Sequence, residues 1–316
     1  MSQKLYNRPY KGILSRRRRP RLVIILCLFA CLLLAYHKRS HPTVAAIIEG
    51  RELPNLIPLL IQFSGFLGPD WPIHVFHSER NAALFSTSAW VAKQVKAGGL
   101  ILHPSPDHTL DFKTDVDASR FLTSDFIWKR LLPATHVLLF QADSMVCGAS
   151  QHRPEDFLQY AFVGAPIAEH LVISGYTRGF NGGMSLRHIP SILRVIEEFD
   201  WEAAPDPEDQ FFSTTIPLLT DPPAPKLPPD DVAAAFSVES IWYSRPMAFH
   251  QVRRWNPTRL DEVLEYCPEI SLTEEGHQFP GEKEADEEDA HKEDGGKEVK
   301  GLAPAQTNVS AERIWE

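Results

Sequence analysis

Three short stretches hold side chains that could do chemistry. Gln141-Ala-Asp143-Ser144 directly follows an apolar run, Val137 to Phe140. A carboxylate in that place can hold a divalent cation, and the cation can hold a diphosphate. Glu208-Asp209 precede the aromatic pair Phe211-Phe212, which suggests a helix start whose two acids face a cleft. His250 closes the run Ala248-Phe249. Each stretch also has an ordinary reading. Asp and Ser form turns after strands, acids at a helix start stabilise its dipole by about 0.3–1 kcal/mol, and a lone histidine beside apolar residues is commonly a satisfied structural one.

The elements that must position these groups read as an alternation of strand and helix. Val137 to Phe140 has the unbroken apolar character of a central parallel strand covered on both faces. Its carboxyl end is where open α/β sheets take their ligands. Ahead of it the pattern predicts strands at 43–48, 73–76 and 100–102. It places helices over 54–66, 89–97 and 118–132, with Gly98-Gly99 and Pro133 as stops. Behind it the pattern predicts short strands at 161–163, 184–186, 236–242 and 246–250. Helices follow over 190–199 and from 207. The fold class expected is α/β, a mostly parallel sheet flanked by helices. No Gly-x-Gly-x-x-Gly follows the first strand and no Gly-x-x-x-x-Gly-Lys-Ser/Thr loop is present, so dinucleotide and P-loop sites are not supported. Ser185 lacks the second glycine of a hydrolase nucleophile elbow, because Arg187 stands there.

The chain has 316 residues and a formal net charge of −9. Residues 1–21 hold eight Lys/Arg and no acid, and residues 282–298 hold nine acids and three lysines. Removing that +8 leader and that −6 segment leaves −11 on the rest, which argues against a nucleic-acid partner. Leu22 to Tyr36 is uncharged between Arg21 and Lys38-Arg39. The fifteen residues are short against the roughly 20 of an average span, but thinner secretory membranes and snorkelling basic residues accommodate them. A long basic leader without a small-x-small cleavage site favours an uncleaved anchor over a signal peptide. The charge difference puts the amino terminus in the cytosol. The organisation expected is a basic cytosolic tail (1–21), a signal anchor (22–36), a short stem (37–42), one luminal domain (43–270) and an acidic tail (271–316). The result is a single-pass type II membrane protein of the Golgi or endoplasmic reticulum. Cys147 and Cys267 could pair in such a lumen. Asn308-Val-Ser310 is a glycosylation sequon.

Taken in order, Gln141-Ala-Asp143-Ser144, Val163-Gly-Ala-Pro166, Asn181-Gly-Gly-Met-Ser-Leu-Arg187, Glu208-Asp-Gln-Phe-Phe-Ser213 and Ala248-Phe-His250 resemble a family of glycosyltransferase-like proteins. That family is known mainly as a domain of unknown function and is similar to the GT-A nucleotide-sugar fold. Ile48-Glu-Gly-Arg51 and Trp71 to Phe76 fit the same family, so the likeness runs over about residues 43–255.

The resemblance implies transfer of a sugar from a nucleotide-sugar donor to a hydroxyl acceptor. Asp143 matches the second acid of a metal-holding Asp-x-Asp motif, with Gln141 in the place of the first. His250 matches a late metal ligand, so a divalent cation, Mn²⁺ or Mg²⁺, is implied. Gln141, Asp143, Ser144, Glu49 and Arg51 fall at the donor diphosphate. Asp209, then Glu208, is the implied base. Asn181, Gly182, Gly183 and Arg187 would shape the sugar or acceptor pocket. Lys129, Arg178 or Arg187 could share the positive charge at the diphosphate. The incomplete acid motif leaves open a non-catalytic, membrane-tethered binding or scaffold module on the same fold. Two carboxylates could also serve a glycoside hydrolase. Donor sugar and acceptor, whether glycan, protein or lipid, are not set by these residues.

Overall fold

A computed structural model describes residues 43–106, 109–172, 179–220 and 226–273. The basic leader, the expected anchor at 22–36, the stem, Arg178 and the acidic tail from 274 lie outside them. Among the described residues no helix is long and apolar enough to cross a membrane.

The chain opens on β1 (Thr43–Glu49), almost wholly buried. In α1 (Leu56–Leu67) the residues Leu56, Leu59, Leu60, Phe63 and Leu67 recur at helical spacing and form the buried stripe. Gly68, at φ 75°, ends the helix. After β2 (Ile73–Ser78) comes the short α2 (Ala82–Ser86). Next is α3 (Ala89–Ala97), capped by the Ser88 hydroxyl at Val91 N–H and stopped by Gly98 at φ 80°. Then follow β3 (Leu100–Ser105), α4 (Asp115–Leu122), α5 (Phe126–Leu131) and β4 (His136–Phe140). Beyond β4 lie β5 (Ser144–Val146), β6 (Phe162–Pro166), β7 (Phe180–His188), α6 (Ile189–Glu198) and α7 (Glu208–Thr215). The described chain ends with α8 (Asp230–Phe236), β8 (Ser237–Val238), β9 (Ala248–His250), α9 (Val252–Trp255) and α10 (Leu260–Tyr266).

The main sheet has the order β3-β2-β1-β4-β7-β6. Its first four strands are parallel, and β7 runs antiparallel between β4 and β6. The fold is therefore α/β with a mostly parallel central sheet flanked by helices. Residues of β4 alternate between two cores, as a doubly covered strand must. Leu138 and Phe140 join Phe63, Met184 and Phe249, with the Phe63 and Phe140 rings stacked at 3.8 Å. Val137 and Leu139 join Trp128, Phe162 and Phe212. Burying each such side chain contributes about 1.5–3 kcal/mol.

The insertion of β7 has a direct consequence. Because β7 runs against β4, its first residues lie at the carboxyl end of β4: Phe140 pairs with Met184, and Gln141 N–H donates to Gly183 O at 2.9 Å. A second, three-stranded sheet, β5-β9-β8, sets Ser144 opposite His250. Cys147, just past β5, is disulfide-bonded to Cys267.

Several elements differ from the sequence reading. The helix expected over 118–132 is two helices, because the Thr123 hydroxyl donates to Ser119 O at 2.8 Å and the Ser124 hydroxyl to Phe121 O at 2.6 Å. Those hydroxyls bond carbonyls of the last turn of α4, where side-chain bonding offers the backbone an alternative to continuing the helix. The strand expected at 236–242 is only Ser237–Val238 and follows a helix. Asp230-Asp231 at an amino terminus before Ala233 to Ala235 is a helix signal. The strand expected at 246–250 is Ala248–His250, the middle strand of the small sheet. The third strand runs on to Ser105 and carries Pro104, which an edge strand tolerates.

At the amino end of β4, His136 faces His188 across the β4–β7 pair, with ring centroids 4.8 Å apart. Burial, then the neighbouring His188, push His136 down to about 4. The folded chain thus keeps it neutral where an unfolded chain would protonate it. That contribution is complete above about pH 6.5 and is lost as pH falls towards 4. Between pH 7 and pH 5 the contribution of His136 should fall by roughly 1–2 kcal/mol. The test is the difference between wild type and His136→Gln: the wild type should lose more Tm, or gain less, than the variant over that window, and parallel Tm-against-pH curves would count against the assignment.

Candidate functional site

The site begins with one buried ion pair. Arg187 on β7 is 0% exposed, and its guanidinium makes a two-pronged pair with Glu208, Nη1 to Oε2 at 2.7 Å and Nη2 to Oε1 at 2.8 Å. Two more of its donors reach the Ser185 hydroxyl at 2.9 Å and Gly182 O at 3.2 Å. The rings of Phe162, Trp128 and Phe212 surround it at 4.7, 5.6 and 5.8 Å. Glu208 is the first residue of α7, so the pair anchors that helix start onto β7.

Asp209 comes next in the chain and is placed by that anchor. Its Oδ2 accepts from Gly182 N–H at 2.9 Å and its Oδ1 from Gln210 N–H at 2.7 Å. Burial, then the adjacent Glu208 carboxylate, push Asp209 up to about 7, against the pull of the Gly182 N–H. The double glycine is there for close approach. A Cβ on Gly182 would come within 2.5 Å of Glu208 Oε1, and one on Gly183 within 2.3 Å of His250 Nε2. Neither glycine has a positive φ. Asn181 Oδ1 accepts from Gly183 N–H at 2.8 Å and holds the bend.

Across the cavity stands a polar cluster built on the two sheets. His250 Nδ1 lies 3.0 Å from Glu239 Oε1, and its Nε2 lies 3.1 Å from Gln141 Oε1 and 3.3 Å from Asp143 Oδ1. Burial alone would lower the imidazole pKa. The Asp143 and Glu239 carboxylates outweigh it and push His250 up to about 10. Asp143 is 2% exposed. Gln251 covers it, donating from Nε2 to Oδ2 at 3.0 Å and from its backbone N–H to Asp143 O at 3.2 Å. Gln251 does this at φ 45°, ψ 37°, the sole non-glycine with positive φ among the described residues. A strained backbone of that kind is retained where its surroundings fix it.

A cavity of about 270 Å³ joins the two halves. Its walls include Gln141, Asn181, Gly182, Gly183, Glu208, Asp209 and His250, together with Asp115, Glu239, Gln251, Arg254 and Trp255. The remaining sequence-derived candidates sit elsewhere. Asp143 lies directly behind Gln251 and His250. Ser144 is fully buried, with its hydroxyl donating to Gly183 O at 2.9 Å. Arg187 is enclosed by the aromatic rings described above. Glu49 and Arg51 pair with each other, Nη2 to Oε2 at 2.9 Å, and Asn81 donates to both their carbonyls. They stand at the same end of the sheet as Gln141 but do not line this cavity. Lys129 pairs with Asp125 on α5.

Sequence reasoning missed Asp115, Glu239, Gln251, Arg254 and Trp255. The last three follow His250 directly, so their position beside a candidate ligand was the available signal. Glu239 was hidden inside a segment taken for a longer strand.

A family model described as a protein of unknown function (DUF5672) matches residues 102–250, from β3 through His250. No curated protein matches the chain. Among solved structures, the chain is similar to the glycosyltransferase GlyE of Streptococcus pneumoniae TIGR4, at 12% identity and a TM-score of 0.34. That likeness covers 55% of this chain and 43% of the other, so this chain spans less than half the length of that structure.

Removing one partner of a buried ion pair leaves the other charge uncompensated. Glu208→Ala should therefore lose about 3–5 kcal/mol, lowering Tm by at least roughly 6 °C. Asp209→Ala should cost clearly less in the same melt. Equal losses would mean that the two acids share one structural role.

Proposed function

We propose that this protein is a glycosyltransferase that moves a sugar from a nucleotide-sugar donor to a hydroxyl acceptor. The observation that carries the reading is the shared cavity at the carboxyl end of the central sheet. Its walls hold an acid with a pKa near 7 on one side and the Gln141–His250 cluster on the other, with Asp143 immediately behind.

Asp209 is proposed as the base. A carboxylate pushed up to about 7 accepts a proton from a hydroxyl more readily than an ordinary one, and its ionised form is accessible near neutral pH. Its two backbone hydrogen bonds fix its orientation. Glu208, the second candidate, is held by Arg187 and is proposed to position Asp209. Asn181, Gly182 and Gly183 shape the wall between the two halves.

The donor end is proposed at Gln141 and His250, with Asp143 as the charged residue behind them. Among the described residues no group of three or more His, Cys, Asp and Glu is arranged to hold a metal ion. Gln141 supplies the missing third donor: His250 Nε2 lies 3.1 Å from its oxygen and 3.3 Å from Asp143 Oδ1. Neighbouring ligands about one small cation stand about 3 Å apart. Glu239 on the other ring nitrogen is the usual orienting partner of a ligating histidine. Asp143, His250 and Gln141 are thus proposed to accept Mn²⁺ or Mg²⁺, which when bound would neutralise charge on the departing diphosphate. Location in the secretory pathway behind an amino-terminal anchor belongs to the same proposal and rests on the sequence of residues 1–42.

One observation favours a second reading, a non-catalytic binding module on this fold. Asp143 is buried under Gln251 and does not reach the cavity. A donor screen on the purified protein decides between them. Transfer or donor hydrolysis should require Asp209, fall by at least roughly 100-fold in Asp209→Asn, and rise with pH through about 7 as that carboxyl loses its proton. Nucleotide-sugar binding without turnover at any pH would support the binding module. No thermal shift with any nucleotide sugar, with or without Mn²⁺, would remove the transferase reading.

A further inference from the structure

The cavity is polarised. Asp115, Glu208 and Asp209 occupy one side, with Glu208 paired to Arg187. On the other side α9 follows His250 and brings Arg254 to the wall; Glu239 also lines that side, but its carboxylate is engaged by His250 Nδ1 at 3.0 Å. Among the lining residues, Arg254 is the one lysine or arginine. An anionic ligand would meet unmatched carboxylates at the Asp115–Asp209 end, so its charge has to lie at the other end.

Arg254 is built to meet it. The side chain is exposed, and its single hydrogen bond among the described residues is a long one, Nη1 to Gln251 Oε1 at 3.5 Å. The guanidinium rests over the Trp255 ring at 5.1 Å, which orients it while leaving its fork of donors to other partners. Its backbone is fixed, since Arg254 N–H donates to Gln251 O at 3.0 Å. Gln251 in turn is tied to Asp143. The same amide therefore joins the covered Asp143 carboxylate behind the wall to the guanidinium at the cavity. The other cations have partners or places elsewhere: Arg187 is enclosed with Glu208, Lys129 pairs with Asp125, and Arg51 pairs with Glu49.

We infer that Arg254 is the anion-binding residue of this cavity, taking the phosphate oxygens of a diphosphate-bearing ligand and thereby orienting it with its diphosphate towards Gln251 and its other end towards Asp209. The inference rests on the transferase reading for the identity of the ligand, but not for the anion site itself.

Inorganic pyrophosphate and a nucleoside diphosphate are the probes, titrated into the full-length protein by calorimetry in low and high salt. Both should bind, more weakly as salt rises. Arg254→Ala should weaken both at least tenfold. Arg254→Lys should retain part of the affinity, since an ammonium keeps the charge but not the fork. Arg120→Ala, on a separate groove beside Glu202, should bind like the wild type. Tm should be unchanged in Arg254→Ala, because the side chain is exposed. Pyrophosphate that fails to bind, or binds equally well to Arg254→Ala, overturns the inference. Nucleotide binding that ignores Arg254 overturns it while leaving the transferase reading intact. Arg254-dependent pyrophosphate binding without any sugar transfer does the reverse.

Discussion

The contact between Arg187 and Glu208 is the constraint from which the site follows. It joins an interior strand of the sheet to the first residue of a helix that arrives twenty residues later. Two desolvated charges are costly, and their mutual attraction offsets that cost only with good geometry and full hydrogen bonding. The geometry is good and four of the five guanidinium donors are used: the pair is two-pronged, Ser185 and the Gly182 carbonyl take two more, and aromatic rings close around it. With Glu208 fixed, the next residue has little freedom. Asp209 sits over the Gly182 amide, and the absence of side chains at Gly182 and Gly183 leaves room for it and for His250.

The second half of the cavity depends on strand direction. Had β7 run parallel to β4, Asn181 and the glycines would lie at the far end of the sheet from Gln141. The antiparallel insertion brings them together, and the small sheet adds His250 from still later in the chain. The charge in this half is nearly closed on itself. His250 lies between the carboxylates of Asp143 and Glu239, and two neutral amides, Gln141 and Gln251, occupy the adjoining oxygens and ring nitrogen. Gln in place of a first carboxylate keeps that cluster from accumulating negative charge beneath a cavity already bordered by Asp115 and Asp209.

Much of the fold could be read in the residues because burial on both faces leaves a strong trace. The run from Val137 to Phe140, the spacing of Leu56, Leu59, Leu60 and Phe63, and the glycine stop after Ala97 each have one simple physical reading. The places that resisted are those where short-range signals compete. Thr123 and Ser124 interrupt a helix by hydrogen bonding that no periodicity reveals. The alanines before Phe236 were outweighed by the aromatic and β-branched residues after it. At the site, residue type located Gln141, Asp209 and His250 but could not say which acids were engaged. Arg187, drawn as a pocket residue from its neighbourhood to Asn181, points into the aromatic core because alternation along β7 puts it there. The conformation of Gln251 has no composition signal at all, since its backbone is held by Asp143 from 108 residues earlier.

The bond between Cys147 and Cys267 closes a covalent ring, and Asn181, Asp209, Glu239, His250 and Arg254 all lie inside it. Asp143 stands four residues outside. A single cleavage of the backbone anywhere within that ring would leave both fragments attached to one molecule, and a reductant would be needed to part them. The cavity groups from Asn181 to Arg254 are thus held in one covalent unit by sulfur as well as by the peptide chain, while Gln141 and Asp115 lie ahead of the ring.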